Sequence, residues 1–466
     1  MESRTRTSRL RGLAWLGAAL LLPLALVHAR EPSRLDPALA LATFDEAWRL
    51  VDESPYDVRG KGIDWAAVRE RYRPQAAAAR DMQALRRSLL AMLETLGESH
   101  FSLIPASVER LARGDEAPAP TGSDGAAPAI RDVGLQAGLV EDVLAVTAVR
   151  EGSPAASAGI RPGWVIETVD GQPIASVLAE IAKLQTEALR RSARLRLEAA
   201  IDGRLASSRQ ARAIALTLRD GGGQRRVLTL QPASAPGSEV SIPLLPPLVF
   251  DFESRRLPLP DGGCAGLIRF NVWVPALAEA FPPALAQLRD CRGLVIDLRG
   301  NPGGVIGTAM GVGGHLVQKP TPLGYVNAGG SQARLPALPR RVADDGHPFA
   351  PYDGPLALLI DSGSASTSEV FASGLQAAAR ARVFGTRSAG MALPSVTHPL
   401  PNGDRLQYAI ADLTAPNGER LEGRGIQPDK IAEATLADLS RGRDNALAVA
   451  LDWLSTLPPP AKEPRP

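Results

Sequence analysis

Asp361-Ser-Gly-Ser-Ala-Ser-Thr-Ser-Glu-Val-Phe-Ala-Ser-Gly-Leu375 follows directly on the apolar run Leu356-Ala-Leu-Leu-Ile360, and the junction between them decides the fold. The run is short, aliphatic and without helical spacing, so it reads as a buried strand. Small hydroxyl residues and a glycine come next, and Glu369 to Gln376 then reads as a helix. Ser366-Thr-Ser-Glu369 fits a capping box, in which an N-cap hydroxyl and a carboxylate three residues on satisfy free backbone donors. A serine at such a helix start sits where amide groups and the helix dipole favour developing negative charge. The same serines also serve as plain caps, and the stretch alone leaves both roles open.

Outward from this junction, strands and helices alternate over 238–437. The strands predicted are Ala265 to Phe270, Leu294 to Leu298, Leu356 to Ile360, Ala381 to Gly385 and Leu406 to Ile410. That alternation argues an α/β (α+β) core with a mixed sheet in a multidomain chain. Residues 30–111 read as a helical cap: Phe44, Trp48 and Val51 share a face, as do Trp65, Val68 and Tyr72, then Leu85, Leu89, Met92 and Leu93. Gly97 ends the third helix, and Phe101, Leu103 and Ile104 suggest a short strand, which puts His100 on an exposed junction. Residues 112–130 read as a flexible linker. Asp444 to Leu454 reads as a helix within 438–456, and the proline-rich 457–466 as a disordered tail.

The segment 131–237 is β-rich, with Leu139 to Val149 reading as strand and a tight turn at Asp170-Gly171-Gln172-Pro173. Its run SPAASAGIRPGWVIETVDGQPI resembles a PDZ domain, with Gly134-Leu-Gln-Ala-Gly-Leu139 in the place of the carboxylate-binding loop. The resemblance implies capture of a peptide as an added strand, with Leu135 and Gly138 at the peptide site. Leu178 to Arg219 is longer than a minimal PDZ needs.

Lys+Arg 52 against Asp+Glu 50 gives a net charge of +2, which points to no nucleic-acid partner. Arg4, Arg6, Arg9 and Arg11 precede an apolar run from Leu13 to Val27 that ends in Val27-His28-Ala29: a secretory signal over 1–29. The run is shorter than the ~20 residues a bilayer span needs and contains Pro23. The expectation is a periplasmic or secreted protein without stable membrane insertion after cleavage. Cys264 and Cys291 each lie two residues before a glycine that opens an apolar strand. If those strands are neighbours in register the pair can form a disulfide; otherwise both are buried free thiols.

Gly293-Leu-Val-Ile-Asp-Leu-Arg-Gly-Asn-Pro-Gly-Gly304 is a second strand–turn junction, whose Gly303 and Gly304 let backbone N–H groups converge on an anion. It lacks the lysine spacing of a phosphate loop. DLRGNPGG at 297–304 with SASTSE at 364–369 resembles the signature of the tail-specific, or carboxyl-terminal-processing, serine peptidases of the S41 type. That resemblance implies Ser366 as nucleophile, and Thr367 with Gly303 or Gly304 as the oxyanion hole.

Those peptidases use a lysine base whose position here is Met391, and no lysine lies between Lys319 and Lys430. A Ser–Lys dyad of that layout is excluded, and histidine is the default base near neutral pH. LGESHFSL at 96–103 resembles the LGxSH segment of the tricorn-type core peptidases, which implies His100 as base, with Ser99 and Glu422 orienting it. Glu419 competes with Glu422, and His398 with His100; His315 and His347 read as structural or exposed. No HExxH or C-x-x-C suggests a metal, and no cofactor is implied. The reading is an exported serine endopeptidase acting on polypeptides, recognised in part through free C-termini. The alternatives are a non-catalytic PDZ-containing adaptor with a degenerate peptidase core, or an esterase or amidase acting on small molecules.

Overall fold

The computed structural model describes residues 35–106, 131–184, 187–206, 212–235, 237–240, 248–343 and 346–458. The expected export signal, the linker and nearly all of the expected tail lie outside the described residues.

Three helices, Pro37–Asp52, Trp65–Ala77 and Met82–Glu94, build the N-terminal cap. Asp36, Asp64 and Asp81 each accept an amide of the first turn, as N-cap aspartates do. Trp48 and Trp65 stack, and each indole N–H donates to the other's carbonyl, at 2.8 and 3.1 Å, which locks the first two helices together. The cap does not end at its own helices. Strand Ser102–Ile104 pairs antiparallel with Arg405–Ala409, whose other flank carries Ser395–Pro399. Leu393, Leu400 and Leu406 are buried in one cluster with Phe44, Trp65 and Leu89. Fully burying a leucine contributes about 1.5–3 kcal/mol, so three across this seam fix the cap to the hairpin.

The β-rich unit is an antiparallel sheet running Leu135–Val140, Val143–Val149, Val165–Val169, Ile214–Arg219 and Arg225–Leu230. The single strand expected over Leu139 to Val149 is in fact a hairpin. Glu141 and Asp142 make its turn with φ of 51° and 63°. The usual signature of such a turn is a glycine pair or Asn-Gly, and two acidic residues hid it. The extra length after Leu178 is helical, as Ile174–Ala182 and the long helix Glu187–Ala206.

The core is a six-stranded mixed sheet in the order Phe252–Pro258, Cys264–Phe270, Leu294–Asp297, Leu356–Ile360, Arg382–Gly385, Lys430–Ile431. Only the first pair is antiparallel. Leu356, Leu358 and Ile360 face the layer that holds Trp273, Phe281 and Phe371. Ala357 and Leu359 face the layer closed by Ala450 and Leu454 of helix Asn445–Ser455. A parallel strand covered on both faces must be apolar throughout, which accounts for the run at 356–360. Leu294–Asp297 and Leu356–Ile360 are parallel neighbours, so the turns that follow them emerge side by side at the carboxyl ends of the strands, where open α/β sheets place ligands.

Candidate active site

The two turns are tied by polar groups from both. Ser364 is fully buried and its hydroxyl donates to the Leu298 carbonyl at 2.8 Å. Asp361 accepts the Gly300 amide at 2.8 Å. Asn301, also fully buried, donates from Nδ2 to Phe270 O at 3.0 Å, and its own carbonyl accepts the Ala365 amide at 3.0 Å. Arg299 pairs with Asp297 and with Asp444, the N-cap of the last helix, pinning the base of the first turn.

Ser366 caps helix Thr367–Ala377 with φ 53° and ψ −117°. A non-glycine residue held there costs about 1–3 kcal/mol and persists only where surroundings over-determine it. They do here: its amide meets Met391 O at 2.8 Å and Glu369 Oε2 at 3.1 Å, and its carbonyl accepts from Glu369 and Val370. Glu369 is fully buried and accepts four donors, from Ser366, Ser388, Gly390 and Met391. Burial, with no cation beside it, pushes this carboxyl up to about 7 against those hydrogen bonds. The capping box was legible in the sequence; that the same carboxylate fastens 388–391 was not.

Gly303 and Gly304 have φ of 104° and 137°. A Cβ on Gly303 would lie 2.7 Å from Ser366 Cβ, so this turn touches the serine. The Gly303 amide donates to Asn301 Oδ1 at 3.0 Å, whereas Thr367 uses its hydroxyl on Gly304 O at 2.8 Å. Among the described residues no acceptor takes the amides of Gly304 and Thr367.

His100 also has a positive φ, 61°, and is partly buried where the sequence suggested an exposed junction. Its Nδ1 lies 2.6 Å from Ser99 Oγ, the ring's only hydrogen-bond partner among the described residues. Glu422 accepts the Ser99 amide at 2.7 Å, the Ser99 hydroxyl at 2.9 Å and the Ala392 amide at 2.8 Å. Ser99 has one hydroxyl proton; given to ionised Glu422, it leaves the oxygen to accept Nδ1–H and frees the Nε2 lone pair. Burial pushes the imidazole down to about 4 and the Glu422 carboxyl up. Met391 holds Ser366, and its neighbour Ala392 holds Glu422, so consecutive residues join the serine to the Ser99–His100 pair. Glu419 is exposed and pairs with Arg424. His398 contacts the Pro399 carbonyl on the outer hairpin, and His315 packs between Phe281 and Phe349.

Leu135 turns into the β-rich unit's core, and Gly138 lies on its outermost strand. The expected loop at 134–139 is strand from Leu135 on. Cys264 and Cys291 are disulfide-bonded, with Cα atoms 4.9 Å apart. Cys264 opens its strand and Cys291 precedes the next, and the two strands are offset by one from a glycine-to-glycine match, Gly266 pairing with Leu294.

Residues 265–432 match the family model of peptidase family S41, 41–94 that of the tricorn protease C1 domain, and 145–198 that of a PDZ domain. The chain is 26% identical over 459 residues to a carboxyl-terminal-processing protease of Synechocystis sp., covering 97% of this chain and 94% of that protein. It is 29% identical over 395 residues to a chloroplastic C-terminal processing peptidase of Tetradesmus obliquus, covering 83% and 76%. Its fold is similar to that of the photosystem II D1 C-terminal processing protease, with TM-score 0.56 at 23% identity over 87% of this chain and 98% of that one.

Proposed function

The chain is a serine-type peptidase of family S41, and from that premise we propose that it is an exported endopeptidase whose nucleophile is Ser366 and whose base is His100. Ser366 Oγ attacks the scissile carbonyl carbon while its proton passes to His100 Nε2. The carbonyl oxygen becomes an oxyanion facing the amides of Thr367 and Gly304, each such donor worth roughly 3 kcal/mol of barrier. Collapse breaks the C–N bond, and the leaving amine takes the proton from Nε2. Water, deprotonated by the same imidazole, then hydrolyses the acyl-enzyme and returns the proton to Ser366.

The observation that carries this reading is the series of hydrogen bonds from Ser366 through Met391 and Ala392 to Glu422, Ser99 and His100. Glu422 acts on the imidazole through Ser99, holding the tautomer and favouring the imidazolium as it forms. The ring is neutral at pH 7, as a base must be, because burial depresses its proton affinity. No hydrogen bond joins His100 to Ser366 among the described residues, and the proposed reaction requires that one form when substrate is bound, as catalytic hydrogen bonds often tighten only in that complex. Export is supported by the basic and apolar N-terminal stretch and by the disulfide, a bond that persists in oxidising compartments.

Labelling by a fluorophosphonate probe and hydrolysis of an unfolded protein substrate test the assignment together. Both are expected in the native chain and lost in Ser366→Ala, with hydrolysis lost in His100→Ala. Hydrolysis that survives Ser366→Ala would refute it. Peptide binding without hydrolysis by the native chain would favour the adaptor reading.

A further inference from the structure

Strand Leu135–Val140 is the outermost of its sheet, and only one flank pairs with a strand, Val143–Val149. Alternate residues of such a strand send their backbone groups to the open flank, where a peptide adds as the next strand. Here that flank is filled by the chain itself. The amide of Leu139 donates to Glu198 Oε1 at 2.6 Å, and the amide of Ala137 to the carboxylate of Asp202. Both carboxylates project from helix Glu187–Ala206, one turn apart. The helix is seated by Ala193, Leu197, Ile201 and Leu205, a stripe at four-residue spacing buried with Leu135 and Ala137. Its backbone comes within 8 Å of the strand. An added strand lies about 4.8 Å from its neighbour and needs its own side-chain layer beyond, so none fits while the helix stays.

We propose that helix Glu187–Ala206 is a resident occupant of the peptide-binding edge: Glu198 and Asp202 take the place of the carbonyls of an added strand, and an extended polypeptide C-terminal segment binds only by displacing them. The carboxylates sit there at an electrostatic cost. Desolvation between strand and helix, with Asp361 of the core adding to it, pushes Glu198 up to about 7 and Asp202, whose residue also reaches the surface, to about 6, and the half-buried Arg194 offsets this for Glu198 alone. The same helix reaches the catalytic loops, because Arg191 donates to the Gly423 carbonyl beside Glu422. Peptide at the edge therefore loosens a contact on the Glu422 loop, a consequence that rests on the role given to Glu422 above.

The test is binding of a short fluorescein-labelled peptide with a free apolar C-terminal residue, at fixed pH, in a Ser366→Ala background. Binding is thereby read apart from catalysis, and failure of the Ser366 assignment appears separately as peptide hydrolysis in that background. Glu198→Ala with Asp202→Ala removes the resident acceptors and is expected to tighten binding by about tenfold or more. Glu198→Gln with Asp202→Asn keeps an acceptor oxygen at each place and should stay within about twofold of the background. Equal binding in all three proteins overturns the proposal. Should the alanine pair fail to fold, hydrogen exchange on the Ser366→Ala chain decides: saturating peptide should expose the amides of 187–206 while those of Ala137 and Leu139 stay protected. Unchanged protection of the helix in the presence of peptide overturns the proposal as well.

Discussion

Replacing Glu422 by glutamine is the sharpest perturbation of the site, because three donors converge on a group that glutamine can only half reproduce. Oε1 accepts the Ser99 amide, and Oε2 accepts both the Ser99 hydroxyl and the Ala392 amide. With its oxygen in the Oε2 place, glutamine keeps two of these and points its NH₂ at the Ser99 N–H. With its oxygen in the Oε1 place, NH₂ opposes the Ala392 N–H and donates to Ser99 Oγ. The Ser99 proton then turns to His100 Nδ1, which moves the imidazole proton to Nε2 and removes the base. Either orientation orphans one buried amide, at about 1–3 kcal/mol of stability. Either also removes the negative charge behind the imidazolium, so kcat should fall by roughly 10²–10⁴. The pH profile adds a second readout. Burial raises the Glu422 carboxyl above its ordinary 4.5, so as pH falls this group takes up its proton before His100, whose imidazole lies near 4. The native acid limb of kcat/KM therefore reports the raised Glu422 carboxyl, and the residual activity of Glu422→Gln should carry a limb displaced downward. Steady-state kinetics between pH 4 and 8, with thermal unfolding of the same samples, provides the measurement. A variant that loses stability yet keeps kcat/KM within about threefold of the native value would make Glu422 a strut and refute the reasoning.

Glu369→Gln should abolish activity although Glu369 is too deep to touch substrate, because an amide cannot accept from four donors; whichever way it turns, one N–H, that of Gly390 or of Met391, is stranded at about 1–3 kcal/mol and the 388–391 segment loosens. The native carboxyl, raised to about 7 in the folded chain, makes the folded state bind more protons than the unfolded one between pH 4.5 and 7. Stability from this group thus declines as pH rises through that window, and urea titrations of Glu369→Gln should lack that slope. Gly303→Ala places a Cβ 2.7 Å from Ser366 Cβ at a φ that only glycine adopts freely, so fluorophosphonate labelling should drop sharply in a chain whose circular dichroism is native. Cys264→Ser with Cys291→Ser opens a loop of sequence separation 27. Loop-closure entropy puts the loss at about 3–4 kcal/mol, yet kcat should be unchanged, because the bond lies at the amino ends of strands whose carboxyl ends carry the site.

What could be read in the chain beforehand was local chemistry. Strands with two apolar faces and the Ser366–Glu369 cap follow from neighbours within a few residues, and the predicted core strands agree with the folded chain to within a residue or two. The hairpin at Glu141-Asp142 escaped because its turn uses acidic residues at positive φ. The second task of Glu369 escaped because its partners at 388–391 lie about twenty residues away, beyond any periodic signal. Gly303 and Gly304 were legible as a pair, but only the folded turn separates them, since Asn301 engages one amide and leaves the other.

The hardest feature to read was how a residue of the helical cap reaches a turn of the sheet, and here topology decides. Ser102–Ile104 joins the hairpin strand Arg405–Ala409, so the segment just before it, Ser99-His100, is delivered to wherever that hairpin is anchored. The hairpin begins at Ser395, three residues after Ala392, whose amide Glu422 holds, and four after Met391, whose carbonyl holds Ser366. The serine and the imidazole are thus tied to one short stretch, 391–395, while Glu98, one residue before Ser99, is held by Arg420 of the loop that carries Glu422. The position of Met391, inside that stretch, is where the resemblance to the tail-specific peptidases implies a lysine base. With His100 as the proposed base the same anchor is kept and only the strand that delivers the nitrogen changes, so the absence of that lysine does not by itself imply a dead site. Cutting the link, by Ala392→Pro, which removes the amide Glu422 accepts, should therefore uncouple His100 from Ser366, so that fluorophosphonate labelling and turnover fall together in a chain whose circular dichroism stays native. Turnover within about threefold of the native value would mean that the stretch does not position the imidazole.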